Sequence, residues 1–326
     1  MACLKVRVMW KNNVGCKAAF LLFLAVLTMG NFGRLDKAQA ITCSFNNAPA
    51  TLSFGTILSG NSGSMSGSMG FQCSAGLLEL TSAMCPTIEP ALADMSGTTR
   101  LLHGTSGAAL GYALAFNLYL PGNLVWGMRT VSGSGTIPQQ TALLPVLGTS
   151  YTQPFTGSIA AGQVVPAGTY STTSRYTTYF TSGLIAPILL GSCFNSGQNI
   201  TSAVTITAII QPNCNVSAND INFGTQTVLT QTLSAQGAII VNCTLAQPYS
   251  VSLASSTGMR MMNGSQSIQY GLFSDPAYQS SWNGTTAING VGIGSNQTIP
   301  VYARVLPQQT PSAGTYSDTV AITVTY

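Results

Sequence analysis

The chain contains one sequence pattern twice, and this repeat limits its possible folds more than any other feature. Each copy has two cysteines, a Phe-Gly-Thr sequence between them and a later Ala-Gly-Thr-Tyr-Ser sequence: Cys43, Phe54, Cys73 and Tyr170 in the first copy; Cys214, Phe223, Cys243 and Tyr316 in the second. The units are longer than the roughly 20–50 residues of a solenoid repeat, so the pattern indicates a duplicated domain. The second copy ends at Tyr326, seven residues after Thr319, and we expect its last sheet to lack a closing strand.

Short runs that alternate β-branched and polar residues make up most of both copies. Residues 204–210 read Val-Thr-Ile-Thr-Ala-Ile-Ile, and residues 320–326 read Val-Ala-Ile-Thr-Val-Thr-Tyr. Alternation with a period of two is typical of strands that bury one face, and no long stretch has a helical period. The sequence therefore predicts an all-β chain of two immunoglobulin-like antiparallel β-sandwich domains in tandem, the C-terminal one lacking its closing strand.

The first 40 residues have the features of an export signal. Basic residues precede an apolar run over 18–29, and Ala38-Gln39-Ala40 fits a small-residue cleavage site. The apolar run is shorter than the about 20 residues that a membrane-spanning helix needs. We therefore expect residues 1–40 to be a signal peptide that is removed after Ala40.

Removal of this segment changes the charge of the protein. All four lysines lie within it, so residues 41–326 keep five arginines, six acidic residues and a net charge near −1. Proteins that bind nucleic acid neutralise its phosphates with clustered Lys and Arg side chains. The composition therefore excludes nucleic acid as a partner.

The six remaining cysteines are expected to form disulfides, which persist in exported proteins. The repeat makes Cys43–Cys73 and Cys214–Cys243 equivalent pairs, and it leaves Cys85 to pair with Cys193. The expected organisation is a signal peptide (1–40), an N-terminal domain with expanded loops (41–200) and a C-terminal domain (201–326).

The first copy is longer than the second in three places when the copies are aligned on shared aromatic anchors. We match Tyr112 with Tyr270, Trp126 with Trp282 and Phe155 with Tyr302. From the second cysteine to the matched tyrosine there are 39 residues in the first copy and 27 in the second. From the tryptophan to the next aromatic anchor there are 29 and 20, and residues 181–200 of the first copy have no counterpart in the second. In an antiparallel sandwich these expansions correspond to the BC, DE and FG loops, which share one pole.

Apolar residues are concentrated in these expansions, although loops usually face water. We expect three apolar fingers at one pole that bind a surface through Leu143, Leu144, Val146, Leu147, Leu184, Ile185, Ile188 and Leu189. The alternative for residues 184–190 is a buried strand that closes the first domain.

The paired cysteines around Phe-Gly-Thr, the Tyr-x-Leu and Trp core residues, and the Ala-Gly-Thr-Tyr-Ser-Asp-Thr sequence at 313–319 resemble the spore coat protein U domain. That family includes subunits of archaic chaperone–usher pili, and two such domains in one exported chain are similar to the tip adhesin of such a pilus. The resemblance implies an incomplete sandwich that a periplasmic pilus chaperone holds, an outer-membrane usher assembles, and the N-terminal strand of an adjacent pilin subunit completes. The last step is donor-strand complementation.

The resemblance also implies which segments accept a strand. Val320, Ile322 and Val324 would line the acceptor side of the second domain. Only Ile41-Thr42 precede Cys43, so we expect the chain to accept a strand without donating one, as a subunit at the pilus tip would. Residues 201–211 resemble the missing donor extension; they begin the second domain, complete the first, or do some of each. The implied function is attachment to abiotic or host surfaces and biofilm formation, after export through the periplasm to the cell surface.

We predict no catalytic residue, no cofactor and no metal site. The chain after residue 40 has one histidine, His103, and its spacing from Glu79, Glu89 and Asp94 does not distinguish a hydrolytic triad from surface polar residues. One histidine beside paired cysteines is too few ligands for zinc. The alternative functions are a secreted coat or matrix protein, and a carbohydrate-binding module or glycan-processing enzyme that uses the region of Trp126 and Tyr119 as a stacking platform.

Overall fold

The computed structural model describes residues 41–76, 79, 81–143, 148–183, 193–194 and 198–326, without the side chain of Leu143. The expected signal peptide lies outside these residues. Two short 3₁₀-helices span Leu92–Asp94 and Gly107–Ala109. Within the described ranges, no helix is long and apolar enough to cross a membrane.

The strands form two β-sandwiches, one after the other along the chain. The first contains β1 (Thr42–Asn47), β2 (Thr51–Leu58), β3 (Gly63–Ser74), β4 (Thr81–Pro90), β5 (Met95–Ser96), β6 (Thr99–Gly104), β7 (Ala113–Leu120), β8 (Leu124–Val125), β9 (Gln140–Leu143), β10 (Thr149–Ile159), β11 (Gly168–Gly183) and β12 (Gln198–Gln211). The second contains β13 (Cys214–Ala218), β14 (Leu233–Cys243), β15 (Pro248–Ser255), β16 (Arg260–Asn263), β17 (Gln266–Phe273), β18 (Ala287–Val291), β19 (Gln297–Val305) and β20 (Val320–Thr325).

In the first sandwich the strands follow the order β1-β3-β10-β7-β6-β11-β12-β2, and β4 pairs with β11 and β9. The inward residues of each strand are apolar because the strands alternate with a period of two. In β7, for example, every second residue is buried, including Leu114, Phe116 and Leu118. These side chains meet Phe155 and Tyr176 in one core.

Strand β12 completes the first sandwich. It pairs antiparallel with β11 from Gly168 to Phe180, and parallel with β2. Its inward side chains, Val204, Ile206, Ala208 and Ile210, are at most 4% exposed. The structure therefore places 201–211 in the first sandwich. The expected boundary between residues 200 and 201 falls inside β12, which pairs with β11 on both sides of it. We therefore propose that the division between the sandwiches lies at 212–213 instead.

The second sandwich has a sheet of order β13-β14-β19-β17-β16 facing a sheet of order β18-β15-β20. Its core contains Val251 and Leu253 from one sheet, and Leu272 and Val301 from the other. Trp282 is fully buried among them.

The two sandwiches share several fixed points. Trp126 and Trp282 are fully buried, and their indole N–H groups donate to the carbonyl oxygens of Pro86 (3.0 Å) and Val251 (3.2 Å). The hydroxyls of Tyr170 and Tyr316 each donate to the carbonyl four residues earlier, at 2.8 Å. This backward hydrogen bond is the tyrosine corner of immunoglobulin-like domains. Disulfides join Cys43–Cys73, Cys85–Cys193 and Cys214–Cys243.

Candidate functional site

The second sandwich has an open edge where the first has β12. The pairs Tyr176–Ile88 and Ile322–Leu253 occupy the same place in their sandwiches, so β20 corresponds to the middle of β11. Strand β11 has β4 on one side and β12 on the other, whereas β20 pairs with β15 alone among the described residues. The second sandwich therefore exposes a row of backbone N–H and C=O groups along β20.

Both segments that flank the open edge lose their strand structure. Residues 51–58 form β2 in the first sandwich, but the equivalent segment around Phe223 is irregular. Residues 168–173 belong to β11, but the equivalent 314–319 lie outside any strand. Strand β12 pairs with both of these segments in the first sandwich, and among the described residues no strand takes its place in the second.

Between these walls lies a groove of about 550 Å³. Its floor is apolar and comes from both sheets, through Ile239, Leu253, Leu272 and Val301. Ile221 and Phe223 line one wall, and Val320 and Ile322 line the other. In the first sandwich the corresponding space holds the four buried side chains of β12, so the groove has the shape and lining that suit an alternating strand.

The three residues expected to accept a strand lie on the inward face of β20. Val320, Ile322 and Val324 are half-buried and pack against the core of the second sandwich. The intervening Ala321 and Thr323 are exposed. That these three residues accept a strand remains a prediction. Their side chains point towards the core, as this role requires.

A polar group that no sequence motif predicts also lies in the groove. The Asp318 carboxylate accepts hydrogen bonds from the hydroxyls of Ser255 and Tyr270, each at 2.7 Å, on Oδ2. Its Oδ1 accepts the Thr319 N–H at 2.8 Å. Burial works to raise the pKa of Asp318, but these hydrogen bonds outweigh it and the pKa is lowered. Burial raises the pKa of Tyr270, and its hydrogen bond to Asp318 raises it further.

One segment from each of the three expanded intervals leaves the first sandwich at one end of the same sheet. Strand β4, which lies within the first interval, begins at Thr81, β9 ends at Leu143 within the second, and β11 ends at Gly183 at the start of the third. Thr81 pairs with both Leu143 and Gly183, so these three positions form one row. We call this end of the sheet the distal pole.

The base of the distal pole is tied together by a disulfide and a cation–aromatic cluster. Cys85 of β4 is bonded to Cys193 of the third expansion. The Arg129 guanidinium lies 4.5 Å from the centroid of the Tyr179 ring and 5.0 Å from that of Phe194. Such contacts stabilise by roughly 0.5–1 kcal/mol at exposed sites. The cluster therefore links the second and third expansions to β11.

Glu89 fixes the segment that carries Arg129. Its two carboxylate oxygens accept the Arg129 N–H and the Thr130 hydroxyl, each at 2.8 Å. This role could not be predicted from the sequence, because Glu89 and Arg129 come together only when the second expansion folds onto β4.

The predicted surface-binding residues lie mostly outside the described residues. Leu143 is the last residue of β9, and only its backbone is described. Leu144, Val146, Leu147, Leu184, Ile185, Ile188 and Leu189 fall in the segments that the structure does not describe. Their role stays a prediction, and only the positions from which their segments leave the sheet are known.

The polar residues considered for catalysis do not form a nucleophile–base pair. His103 Nε2 lies 3.1 Å from Asp94 Oδ1, and the Thr172 hydroxyl donates to Asp94 Oδ2 at 2.6 Å. The threonine thus contacts the carboxylate rather than the imidazole that would have to activate it. Across the described part of the chain, no group of three or more His, Cys, Asp or Glu side chains is placed to hold a metal ion. Trp126 is fully buried and offers no exposed stacking platform.

Comparison with known proteins gives both a family and a fold. A family model described as the Spore Coat Protein U domain matches residues 32–177 and 200–323. Among solved structures, the chaperone–tip adhesion subunit pre-assembly complex of archaic chaperone-usher Csu pili from Acinetobacter baumannii matches with 18% identity and a TM-score of 0.52, over 87% of this chain and 100% of that one. The CupB6 tip adhesin of Pseudomonas aeruginosa matches with 10% identity and a TM-score of 0.38, over 88% and 94%. No curated protein matches. The first of these structures supports the immunoglobulin-like pilus-adhesin fold.

Proposed function

The chain belongs to the Spore Coat Protein U domain family, and from this we propose that it is the tip adhesin of a pilus assembled by the chaperone–usher route. The N-terminal sandwich binds a surface through the distal pole. The C-terminal sandwich joins the fibre by accepting a strand from the adjacent pilin subunit. The protein acts by binding and assembly rather than by catalysis.

The observation that carries this proposal is the difference between the two sandwiches of one chain. The first is closed by β12, whereas in the second the equivalent segments border a groove of about 550 Å³. A strand that enters this groove would gain main-chain hydrogen bonds along β20, and its alternate apolar side chains would fill the space between the sheets. It would also cover an edge that otherwise promotes aggregation.

The two proposed functions lie at opposite ends of the first sandwich. Gln198 faces Phe180 towards the distal pole, and Ile210 faces Gly168 at the other end, from which the chain enters the second sandwich. Strand β11 has 16 residues, which corresponds to about 50 Å of extended chain. The distal pole is therefore well separated from the point where the second sandwich begins, as an adhesin at the end of a fibre requires.

This function implies several partners. Before assembly, a periplasmic chaperone would cover the groove, and an outer-membrane usher would deliver the subunit to the cell surface. At the distal pole, the apolar residues of the second and third expansions would bind an abiotic or host surface and support biofilm formation. The structural match to a chaperone–adhesin complex is consistent with the first of these partners.

Two pairs of variants separate assembly from attachment in the cells that produce the protein. Ile322→Asp places a charge on the inward face of β20, and we expect it to remove the protein from the cell surface. Ala321→Asp is the matched control on the exposed face. Leu144→Ser should leave the surface level unchanged but abolish attachment to polystyrene, whereas Leu92→Ser, which alters a leucine that is 70% exposed away from the distal pole, should not.

Antibody labelling of intact cells and a crystal-violet attachment assay measure the two effects. Equal surface levels of the Ile322→Asp and Ala321→Asp variants would refute the role of the groove in assembly. Undiminished attachment by Leu144→Ser at a normal surface level would refute the role of the second expansion in adhesion.

A further inference from the structure

One inward-facing position differs in polarity between the closed sandwich and the open one. The carbonyl oxygens of Leu118 and Leu272 each accept the backbone N–H of the buried tryptophan of their sandwich at 2.8 Å, so the two leucines are equivalent. Phe116 and Tyr270, two residues earlier, are then equivalent as well. In the segment next to the groove, Thr172 lies four residues before Tyr176, and Asp318 lies four residues before Ile322, the equivalent of Tyr176; Thr172 and Asp318 are therefore equivalent too. The first sandwich thus has Phe and Thr where the second has Tyr and Asp.

In the first sandwich this position faces an isoleucine of the closing strand. Ile206 pairs with Thr172 on one side and with Leu52 on the other, and it is fully buried. The Thr172 hydroxyl is directed to Asp94 instead. An aliphatic side chain suits this site because its neighbours in the core are Phe116 and Leu52.

A strand in the second sandwich would meet a different environment at the same register. The residue equivalent to Ile206 would lie between Asp318 on the β20 side and Ile221, the counterpart of Leu52. Directly opposite residues of an antiparallel pair have Cβ atoms about 4.5–5.5 Å apart, so this residue and Asp318 would be in contact. The site therefore combines a carboxylate on one side with an aliphatic side chain on the other.

The Asp318 carboxylate has room for one more hydrogen-bond donor. Its Oδ2 already accepts the hydroxyls of Ser255 and Tyr270, and its Oδ1 accepts the Thr319 N–H. The Thr257 hydroxyl also lowers the pKa of Asp318, but it donates its proton to the Arg260 carbonyl oxygen at 2.7 Å. A carboxylate can accept about four hydrogen bonds. A purely aliphatic side chain at this position would take water from the ionised group without replacing its hydrogen bond, which is costly in a buried site.

We propose that the groove of the second sandwich selects a donor strand with a threonine-like side chain opposite Asp318. The hydroxyl donates to Asp318 Oδ1, and the methyl group packs against Ile221. The flanking inward positions, which face Val320 and Tyr316, take apolar side chains as Val204 and Ala208 do in β12. The inference rests on the proposed function, and it adds which neighbouring strand fits.

The test uses the chain with a copy of residues 201–211 fused after Tyr326 through a flexible linker. In the fused copy, Ile206→Thr and Ile206→Val give two strands of the same shape that differ only by a hydroxyl or a methyl group. Each is placed in the native groove and in a groove that carries Asp318→Thr with Tyr270→Phe, the pair of residues that the first sandwich has. With Trp126→Phe in the background, fluorescence comes from Trp282 and reports the thermal midpoint of the second sandwich.

In the native groove we expect the threonine strand to give the higher Tm, by at least about 3 °C, and in the exchanged groove the valine strand to be better by a similar amount. The same order of the two strands in both grooves would overturn the selectivity while leaving strand acceptance intact. If no fused strand raises the Tm of either groove, strand acceptance itself is refuted, and the inference with it.

Discussion

Ile206 and Ile209 lie three residues apart in β12, but only one of them faces the core. Ile206 is fully buried and Ile209 is 45% exposed. If β12 is the closing strand of the first sandwich, Ile206→Ala should destabilise that sandwich and leave the second unchanged. Ile209→Ala removes the same atoms from the same strand on its outer face, which makes it a matched control.

The expected magnitude follows from the burial of the two side chains. Replacement of a fully buried isoleucine by alanine costs about 2–5 kcal/mol, because transfer free energy is lost and a cavity remains. Ile206 contacts both walls and the core, so we expect about 3–4 kcal/mol, which corresponds to a fall in Tm of about 10 °C for a domain of this size. An exposed substitution such as Ile209→Ala usually changes stability by about 0.5 kcal/mol.

Each sandwich has its own tryptophan, which allows the two unfolding transitions to be followed separately. With Trp282→Phe in the background, fluorescence reports Trp126 and hence the first sandwich; with Trp126→Phe it reports Trp282 and the second. We expect Ile206→Ala to shift only the Trp126 transition. A shift of the Trp282 transition instead, or equal effects of Ile206→Ala and Ile209→Ala, would refute the placement of β12 in the first core.

Two further predictions concern the Asp318 network and the base of the distal pole. The folded-state pKa of Asp318 is lowered from 3.8, so its contribution to stability is present above about pH 4 and is lost as the pH falls through the folded-state pKa; thermal scans from pH 3 to 7 should show this loss in the native protein and not in Asp318→Asn. Removal of the disulfide by Cys85→Ala with Cys193→Ala should abolish attachment to polystyrene at an unchanged surface level, because the third expansion loses its tie to β4. Full attachment by that double variant would show that the tie is not needed.

The duplicated sandwich could be predicted from the sequence because its anchors are fixed by local chemistry. The tyrosine corner needs a tyrosine four residues after the carbonyl that it binds, and Tyr170 and Tyr316 keep that spacing without a gap. From these tyrosines to Tyr326 the two copies align without a gap, which matches Tyr176 with Ile322. The structure agrees, since Tyr176 pairs with Ile88 as Ile322 pairs with Leu253.

The alignment of β7 with β17 was wrong, and the reason is the period of a strand. We matched Tyr112 with Tyr270, but the structure places Phe116 there, and Tyr112 is 40% exposed. In residues 112–120 every second side chain is a large apolar one. A shift of the alignment by four residues therefore keeps each residue on the same face of the strand, and the apolar pattern matches equally well. The match of Phe155 with Tyr302 was also wrong. Phe155 is 2% exposed, whereas Tyr302 faces outward next to the buried Val301.

Two features of the candidate site could not be predicted from the sequence. The alternation of residues 201–211 suits either sandwich, since period two identifies a half-buried strand but not the sheet that it joins. The hydrogen bond between Tyr270 and Asp318 connects residues 48 positions apart. Aspartate near a turn is usually a local hydrogen-bond acceptor, as Asp275 is for the N–H groups of Ala277 and Gln279. No local feature of the sequence therefore distinguishes Asp318 from such an acceptor.

The central claim is that the second sandwich is incomplete and is completed by a strand from outside residues 41–326. The most direct measurement is the Tm of the second sandwich, read from Trp282 fluorescence in a Trp126→Phe background, in the chain alone and with residues 201–211 fused after Tyr326. A fused strand of the same composition in scrambled order is the control. We predict that the ordered strand raises the Tm by at least about 10 °C and the scrambled strand does not, because only the ordered strand buries four alternating apolar side chains. Equal midpoints for the chain alone and for both fusions would contradict the account.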